Sequence, residues 1–206
     1  WTHLMQKDKQ IYVWSDVHMR HANILQYDNR PFKTLAEHDR HMMRMVECLP
    51  DNCTLIDFGD FSMGGKTAVL ENFTNYINLL YRKNINLIYC FGNHCNHLKK
   101  YLEDAGIQAN WVTTKGVKFV DTYYFKYKDR NFVASHHPYE IWPGCDEGSI
   151  HLHGHTHKEM ATSEKTLRFC MSANVIGYRP MLLDDVIALA DKKIAQYGDE
   201  AIVKRH

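Results

Sequence analysis

Residues 11–18, IYVWSDVH, set four apolar, β-prone side chains directly against a polar group. A run of this length, rich in β-branched and aromatic residues, reads as a buried strand from Ile11 to Trp14 with a loop opening at Ser15. Asp16 and His18 stand two apart just past its carboxyl end. The arrangement recurs twice: Thr54 to Phe58 (TLIDF) runs into Gly59 and Asp60, and Asn86 to Phe91 (NLIYCF) runs into Gly92, Asn93 and His94. Three buried strands with polar ends predict neighbouring parallel strands whose carboxyl ends open on one crevice, where ligand sites of α/β sheets collect.

Helical signals separate these strands. Arg20 to Phe32 lacks periodicity and reads as a long loop, a kind of segment that tends to be functional in compact domains. Thr34 and Glu37 form a capping box, and Leu35, His38, Met42, Met45, Val46 and Leu49 recur at helical spacing up to Pro50. His38 and His41 on that helix read as packing and surface groups. Leu70, Phe73, Ile77 and Leu80 mark a second helix, and His97 to Asp104 a third, closed by Gly106 as a left-handed cap. Gly64 and Gly65 lack the spacing of a phosphate loop. Trp111 to Ser135 then reads as β-rich, with strands at Gly116 to Val120, Thr122 to Tyr127 and Asn131 to Ser135. A Pro143-Gly144 turn, a strand from Leu167 to Val175 and a helix through Val186, Ile187, Ala190 and Ile194 complete the chain. No repeat or linker divides it, so residues 1–206 form one expected domain.

Residues 150–157, IHLHGHTH, place histidines on every second position around Gly154. Side chains two apart on an extended chain share one face, a geometry suited to metal ligation. Together with the earlier strand ends and with His136, which follows the strand ending at Ser135, these histidines gather a set of Asp16, His18, Asp60, Asn93, His94, His136, His155 and His157. The set holds enough oxygen and imidazole donors for two metal ions with one bridging carboxylate. Mixed oxygen and nitrogen donors suit Mn, Fe, Zn, Ni or Co better than Ca or Mg.

A formal charge of +1 gives no basic stripe for a long nucleic-acid partner and leaves small anionic substrates open. No apolar run approaches membrane-spanning length, and Trp1 to Gln10 is too polar for a signal peptide. The expected location is the cytoplasm, or a host cytoplasm. The six cysteines show no paired spacing and read as reduced thiols, mostly buried. Trp1 rather than Met stands first, with Met5 as a candidate native start.

The sequence resembles the calcineurin-like metallophosphoesterases. The resemblance runs in the family's order through SDVH (Ser15 to His18), GD (Gly59, Asp60), GNH (Gly92 to His94), SHHP (Ser135 to Pro138) and GHTH (Gly154 to His157). The loop RHANILQYDNRPF and the tail NVIGYRPMLLDDV are similar to a branch of small phosphoesterases found in bacteria and their phages. The resemblance implies a four-layer α/β/β/α sandwich of two mixed sheets flanked by helices. It implies that Asp16, His18, Asp60 and His157 hold one divalent transition-metal ion and that Asp60, Asn93, His136 and His155 hold the other. Asp60 would bridge them, and His136 rather than His137 would be the ligand.

The implied activity is hydrolysis of a small phosphomonoester or phosphodiester, nucleotides among the candidates, by a water activated between two metals, with Mn2+ the leading ion. His94 is the implied proton donor to the leaving oxygen. Cys95 stands where the family pattern has an acidic residue. His21 and Asn23 match the smaller branch and are candidate phosphate contacts, as is Arg20, which stands where that branch often has glycine. His151 and His153 read as packing or supporting groups. Two other readings compete: a metal-dependent nuclease, and a non-catalytic interaction module on the same scaffold.

Overall fold

In a computed structural model of the chain, residues 3–4, 9–107, 113 and 116–204 are described. Met5 and Trp111, at which a native start and the β-rich half were expected to begin, lie outside the described residues. The strands are β1 (His3–Leu4), β2 (Ile11–Trp14), β3 (Thr54–Asp57), β4 (Asn86–Cys90), β5 (Val117–Val120), β6 (Thr122–Tyr127), β7 (Arg130–Ser135), β8 (Ile150–His153), β9 (Arg168–Cys170) and β10 (Met181–Leu182). The helices are α1 (Ile24–Tyr27), α2 (Leu35–Glu47), α3 (Lys66–Arg82), α4 (Asn96–Asp104) and α5 (Leu183–Tyr197).

The strands form two mixed sheets flanked by helices, as expected. In the first sheet, of order β10-β2-β3-β4-β5, β2 to β5 run parallel and β10 is antiparallel. Ile11 lies beside Thr54 and Thr54 beside Asn86, so the three predicted strand ends are level. The second sheet has order β1-β6-β7-β8-β9, with β6 and β7 an antiparallel hairpin and β7, β8 and β9 parallel. Beyond the strands, Ser15 and Ser172 form a further parallel bridge that joins the ends of the two sheets.

One continuous core takes fully buried residues from both sheets, including Val13, Ile56, Phe125, Phe132, Ile150 and Leu152. The period of two sends Val133 to the opposite face from Phe132 and Ala134. There it meets Trp142 and Cys145 of the segment that covers β7 on its way to β8. Helices α2, α3 and α4 pack in series, with α3 on β4, whereas α5 packs on β2 and β10. Asp184 and Asp191 of α5 pair with Lys128 and Arg130 of the β6–β7 hairpin, tying the two sheets together a second time.

Local signals explain the helix ends. The Thr34 hydroxyl accepts from Glu37 N at 3.1 Å, capping α2, while the Glu37 carboxylate accepts from Lys33 N. After α4, Gly106 adopts φ 69°, the left-handed exit expected of it. The strand at Val117, which the sequence left in no particular sheet, belongs to the first, because α4 returns the chain parallel to β4. Three features depart from the sequence reading. The long loop contains the short α1, and β10 was unread because two residues carry no periodic signal. The strand expected from Leu167 to Val175 keeps only Arg168–Cys170; past it, Ser172 leaves the ladder to bond Asp16. All six cysteines are free, and among the described residues no helix is long and apolar enough to cross a membrane.

At the end of β3 the buried Asp57 carboxylate accepts from Gly59 N (2.9 Å), Trp14 Nε1 (3.0 Å) and Tyr76 OH (3.0 Å). Burial pushes its pKa up to about 7 despite these donors. It fixes the loop that carries Asp60. Asp57→Asn turns an amide NH2 toward groups that are themselves donors, so we expect a loss of about 1–3 kcal/mol in urea unfolding; an unchanged midpoint would contradict this role.

Candidate metal centre

The chain segments after β2 and β3 continue side by side past the sheet, through Asp16 N to Gly59 O (3.0 Å), His18 N to Asp60 O (3.0 Å) and Met19 N to Phe61 O (2.9 Å). Along them Asp16, His18 and Asp60 take left-handed backbones, at φ 55°, 54° and 55°. His155 and His157 do the same, at 67° and 52°. Such conformations cost non-glycine residues roughly 1–2 kcal/mol each and persist where surroundings over-determine them. Two glycines permit the close approach. A Cβ on Gly92 would run into the Asp60 carboxylate, and one on Gly154 into the Ser15 hydroxyl and the Asp16 carboxylate.

Asp16, His18 and His157 form one group of potential ligands, with donor atoms within 4.8 Å of one another. The Nε2 atoms of His18 and His157 face each other at 3.1 Å, and Asp16 Oδ1 lies 3.2 Å from His157 Nε2. Asp16 Oδ2 is held by His155 N and the Ser172 hydroxyl, each at 2.9 Å, while the buried Oδ1 has no hydrogen-bond partner. Burial raises the Asp16 pKa, but the imidazoles of His157 and His18, 3.2 and 3.6 Å from Oδ1, outweigh it and hold the carboxyl well below its ordinary range. Burial pulls His18 down to about 4. His157 is also penalised by burial, yet Asp16 and Asp28 push it up to about 9. A proton therefore sits on the lone pair that a cation would need, and the two compete.

Asp60 and His136, with Asp16 common to both, form the second group, again within 4.8 Å. His136 Nδ1 donates to Phe58 O at 2.8 Å, which directs Nε2 toward Asn93 Oδ1 (2.8 Å) and Asp60 Oδ2 (3.4 Å). His155 Nδ1 approaches the same Asn93 oxygen at 2.9 Å. His136 is buried whereas His137 is exposed, its ring lying 4.4 Å from that of His155. Asp60 Oδ1 accepts from His94 N at 2.9 Å, and Cys95 Sγ lies 3.6 Å away. Burial, with Asp60 beside it, pushes the Cys95 thiol up to about 12, so it is a neutral packing group. The His94 ring is exposed at the rim, 5.7 Å from that of His18.

The other predicted residues are spread more widely. His21 lies near the centre, its ring 5.7 Å from that of His18. Asn23 is exposed at the start of α1, and the exposed Arg20 guanidinium lies 3.8 Å from Glu71. His151 and His153 lie inside the second sheet, fully buried.

Sequence reasoning missed Asp28 in the long loop and left Arg30 open between the site and the surface. The Asp28 carboxylate accepts from His157 Nδ1 at 2.6 Å and from Arg30 NH2 at 3.0 Å. Arg30, only 4% exposed, donates to Val17 O and Asp16 O, clamping the loop beneath the site. The absence of periodicity marked this loop as special but could not say which residues turn inward.

The donor set fits a divalent transition metal. It has carboxylates, an amide oxygen and imidazoles, an unpartnered buried oxygen aimed into the group, and glycines that leave the space open. Carboxylate and carbonyl partners orient His157 and His136, as supporting groups do for metal-ligating imidazoles.

His151 gives a test of the neighbouring strand. Its Nδ1 faces Val133 O at 3.1 Å while Nε2 accepts from Tyr139 N at 2.9 Å, which only the neutral ring satisfies. Burial lowers its pKa from 6.5 to about 3, and that of His153 from 6.5 to about 4. The unfolded chain therefore takes up protons first. Stability from this pair is complete above about pH 6.5 and falls as the pH drops toward about 4. Urea midpoints should decline from about pH 7 to about pH 5, less steeply in His151→Gln; equal slopes for the two proteins would contradict this.

No protein-family profile matches the sequence. An uncharacterised protein of Methanocaldococcus jannaschii is 27% identical over 190 residues, covering 89% of this chain and 93% of the relative. The crystal structure of a protein of unknown function from Aquifex aeolicus shares the fold, with a TM-score of 0.62 and 18% identity, over 88% of this chain and all of the other. A structure described as an archaeal phosphodiesterase aligns with a TM-score of 0.44 and 18% identity, over 81% of this chain and 84% of that one.

Proposed function

We propose that the protein is a phosphoric ester hydrolase that acts on a small phosphomonoester or phosphodiester and depends on two divalent transition-metal ions, Mn2+ the leading candidate. The observation that supports this reading is the convergence of Asp16, His18, Asp60, Asn93, His136, His155 and His157 from the ends of five strands on one crevice. Asp16, His18 and His157 would hold one ion, and Asp60, His136, Asn93 and His155 the other. Asp16 is the carboxylate common to both groups, while the family resemblance gives the bridge to Asp60. Bound metals would supply Lewis-acid polarisation of the phosphoryl group and a lowered pKa for water.

The chain's own residues supply position and protons. Asp28 and Phe58 O fix the tautomers of His157 and His136. Arg30 holds the backbone at Asp16 and Val17, so that the ligands stay in place when a substrate binds. His94, at the rim, is placed to hand a proton to the leaving oxygen. Unpaired thiols throughout are in keeping with a reducing compartment, and we place the protein in the cytoplasm.

Hydrolysis of p-nitrophenyl and bis-p-nitrophenyl phosphate with and without Mn2+ tests the assignment. Mn2+-dependent turnover that Asp60→Asn abolishes is expected; no turnover of either ester would favour an interaction module, and cutting of long DNA or RNA a nuclease. His94→Ala should slow alkyl esters by about 100-fold or more, since alkoxides need a proton, and nitrophenyl esters far less. Equal losses on both would remove the acid role from His94.

A further inference from the structure

A cavity of about 270 Å3 opens from the second ligand group, with Asn93, His136 and His137 along its inner side. Its outer wall is made by Lys99 and Asn96 of α4 and by Asp121, Thr122 and Tyr139 from the other half of the chain. The groove therefore continues the candidate metal centre on the Asn93 side. A phosphoester bound at that centre has room to direct one substituent into it.

The chemistry of the walls selects what that substituent can be. The rings present already have partners: Phe91 stacks on Phe119 at 5.7 Å and 11°, and Tyr139 lies flat on His151 at 5.1 Å and 4°. Lys99 Nζ lies 4.8 Å from the Phe91 centroid, over the ring. A planar base would thus compete with existing contacts, whereas polar groups abound. The Thr122 and Tyr139 hydroxyls are paired at 2.8 Å, and among the described residues Lys99 is the one lysine or arginine in the wall.

Among the described residues the carboxylate paired with Lys99 is Asp121, at 3.1 Å, the two side chains being 39% and 76% exposed. Such exposed pairs contribute about 0–1 kcal/mol, so an incoming anion can replace the carboxylate. The Lys99 ammonium also lies over the Phe91 ring.

We infer that this groove is a second anion subsite, in which Lys99 receives a further phosphate, phosphonate or carboxylate of the same substrate; the inference rests on the phosphoesterase reading. The preferred substrates are thus esters with two anionic groups rather than esters with one anion and a neutral or aromatic leaving group. Lys99 determines specificity and takes no part in the bond-breaking step.

Binding of alkane-α,ω-bisphosphonates of increasing chain length, and of the matching alkyl monophosphonates, to the Mn2+-loaded full chain provides the test. At one chain length or more, the bisphosphonate should bind at least about 10-fold more tightly than its monophosphonate, the size of a charge-assisted contact. Lys99→Gln should erase that advantage and leave both monophosphonate binding and bis-p-nitrophenyl phosphate turnover unchanged. Asp121→Asn, which releases Lys99, should enlarge it. Bisphosphonates also chelate metals, so an advantage that survives Lys99→Gln would overturn the inference, as would equal binding of the two series at every length. Failure of the phosphoesterase reading looks different: neither series binds and neither nitrophenyl ester is hydrolysed.

Discussion

The Asp16 carboxylate, wholly buried, is held from both sheets at once. Its own strand belongs to the first sheet, while the groups bonding Oδ2, His155 N and the Ser172 hydroxyl, follow β8 and β9 of the second. Its backbone nitrogen donates to Gly59 O, and its carbonyl accepts from Arg30. A buried carboxylate without compensation would be protonated or would destabilise the fold. This one stays ionised because His157 and His18 stand beside it, and those imidazoles are where they are because the chain bends into left-handed turns at the strand ends. The closure of the sandwich and the assembly of the site are one event.

That coupling carries a cost. Five ligand-type residues in left-handed conformations and a buried carboxylate oxygen without a hydrogen bond are unfavourable in isolation. Strain of this kind gathers at functional sites, and the surrounding sheets, with their shared apolar core, are what hold it. Buried supporting groups do the same from behind: Asp57 fixes the Gly59 turn, and Asp28 with Arg30 locks His157 and the Asp16 backbone.

Much of this was legible from residues alone, and the reason is geometric. Short apolar runs followed at once by Asp16, Asp60 and Asn93 announce buried parallel strands, and parallel strands put their carboxyl ends on one side. The pair His155 and His157 was legible from spacing, although the residues leave the strand and reach the same side through left-handed turns, not through the pleat. Spacing alone does not separate His136 from His137; the resemblance pointed to His136, and burial with the bond to Phe58 O sets it apart. Asp28 was hidden, and Arg30 left open between the site and the surface, because an irregular loop has no period from which inward-facing positions can be read. The strand at Val117 was legible but its sheet was not, because sheet membership depends on the α4 crossover, which residue patterns do not encode. The groove by Lys99 joins α4 to residues beyond Asp121, and no local pattern brings those together.

Mn2+ titration of metal-stripped protein, followed by anomalous diffraction of the loaded crystal, tests the central claim most directly. The account predicts two Mn2+ ions per chain, roughly 3.5–4 Å apart, one between Asp16, His18 and His157 and the other beside Asp60 and His136. An empty crevice at saturating Mn2+, or ions bound only at surface carboxylates away from Asp16, would contradict it.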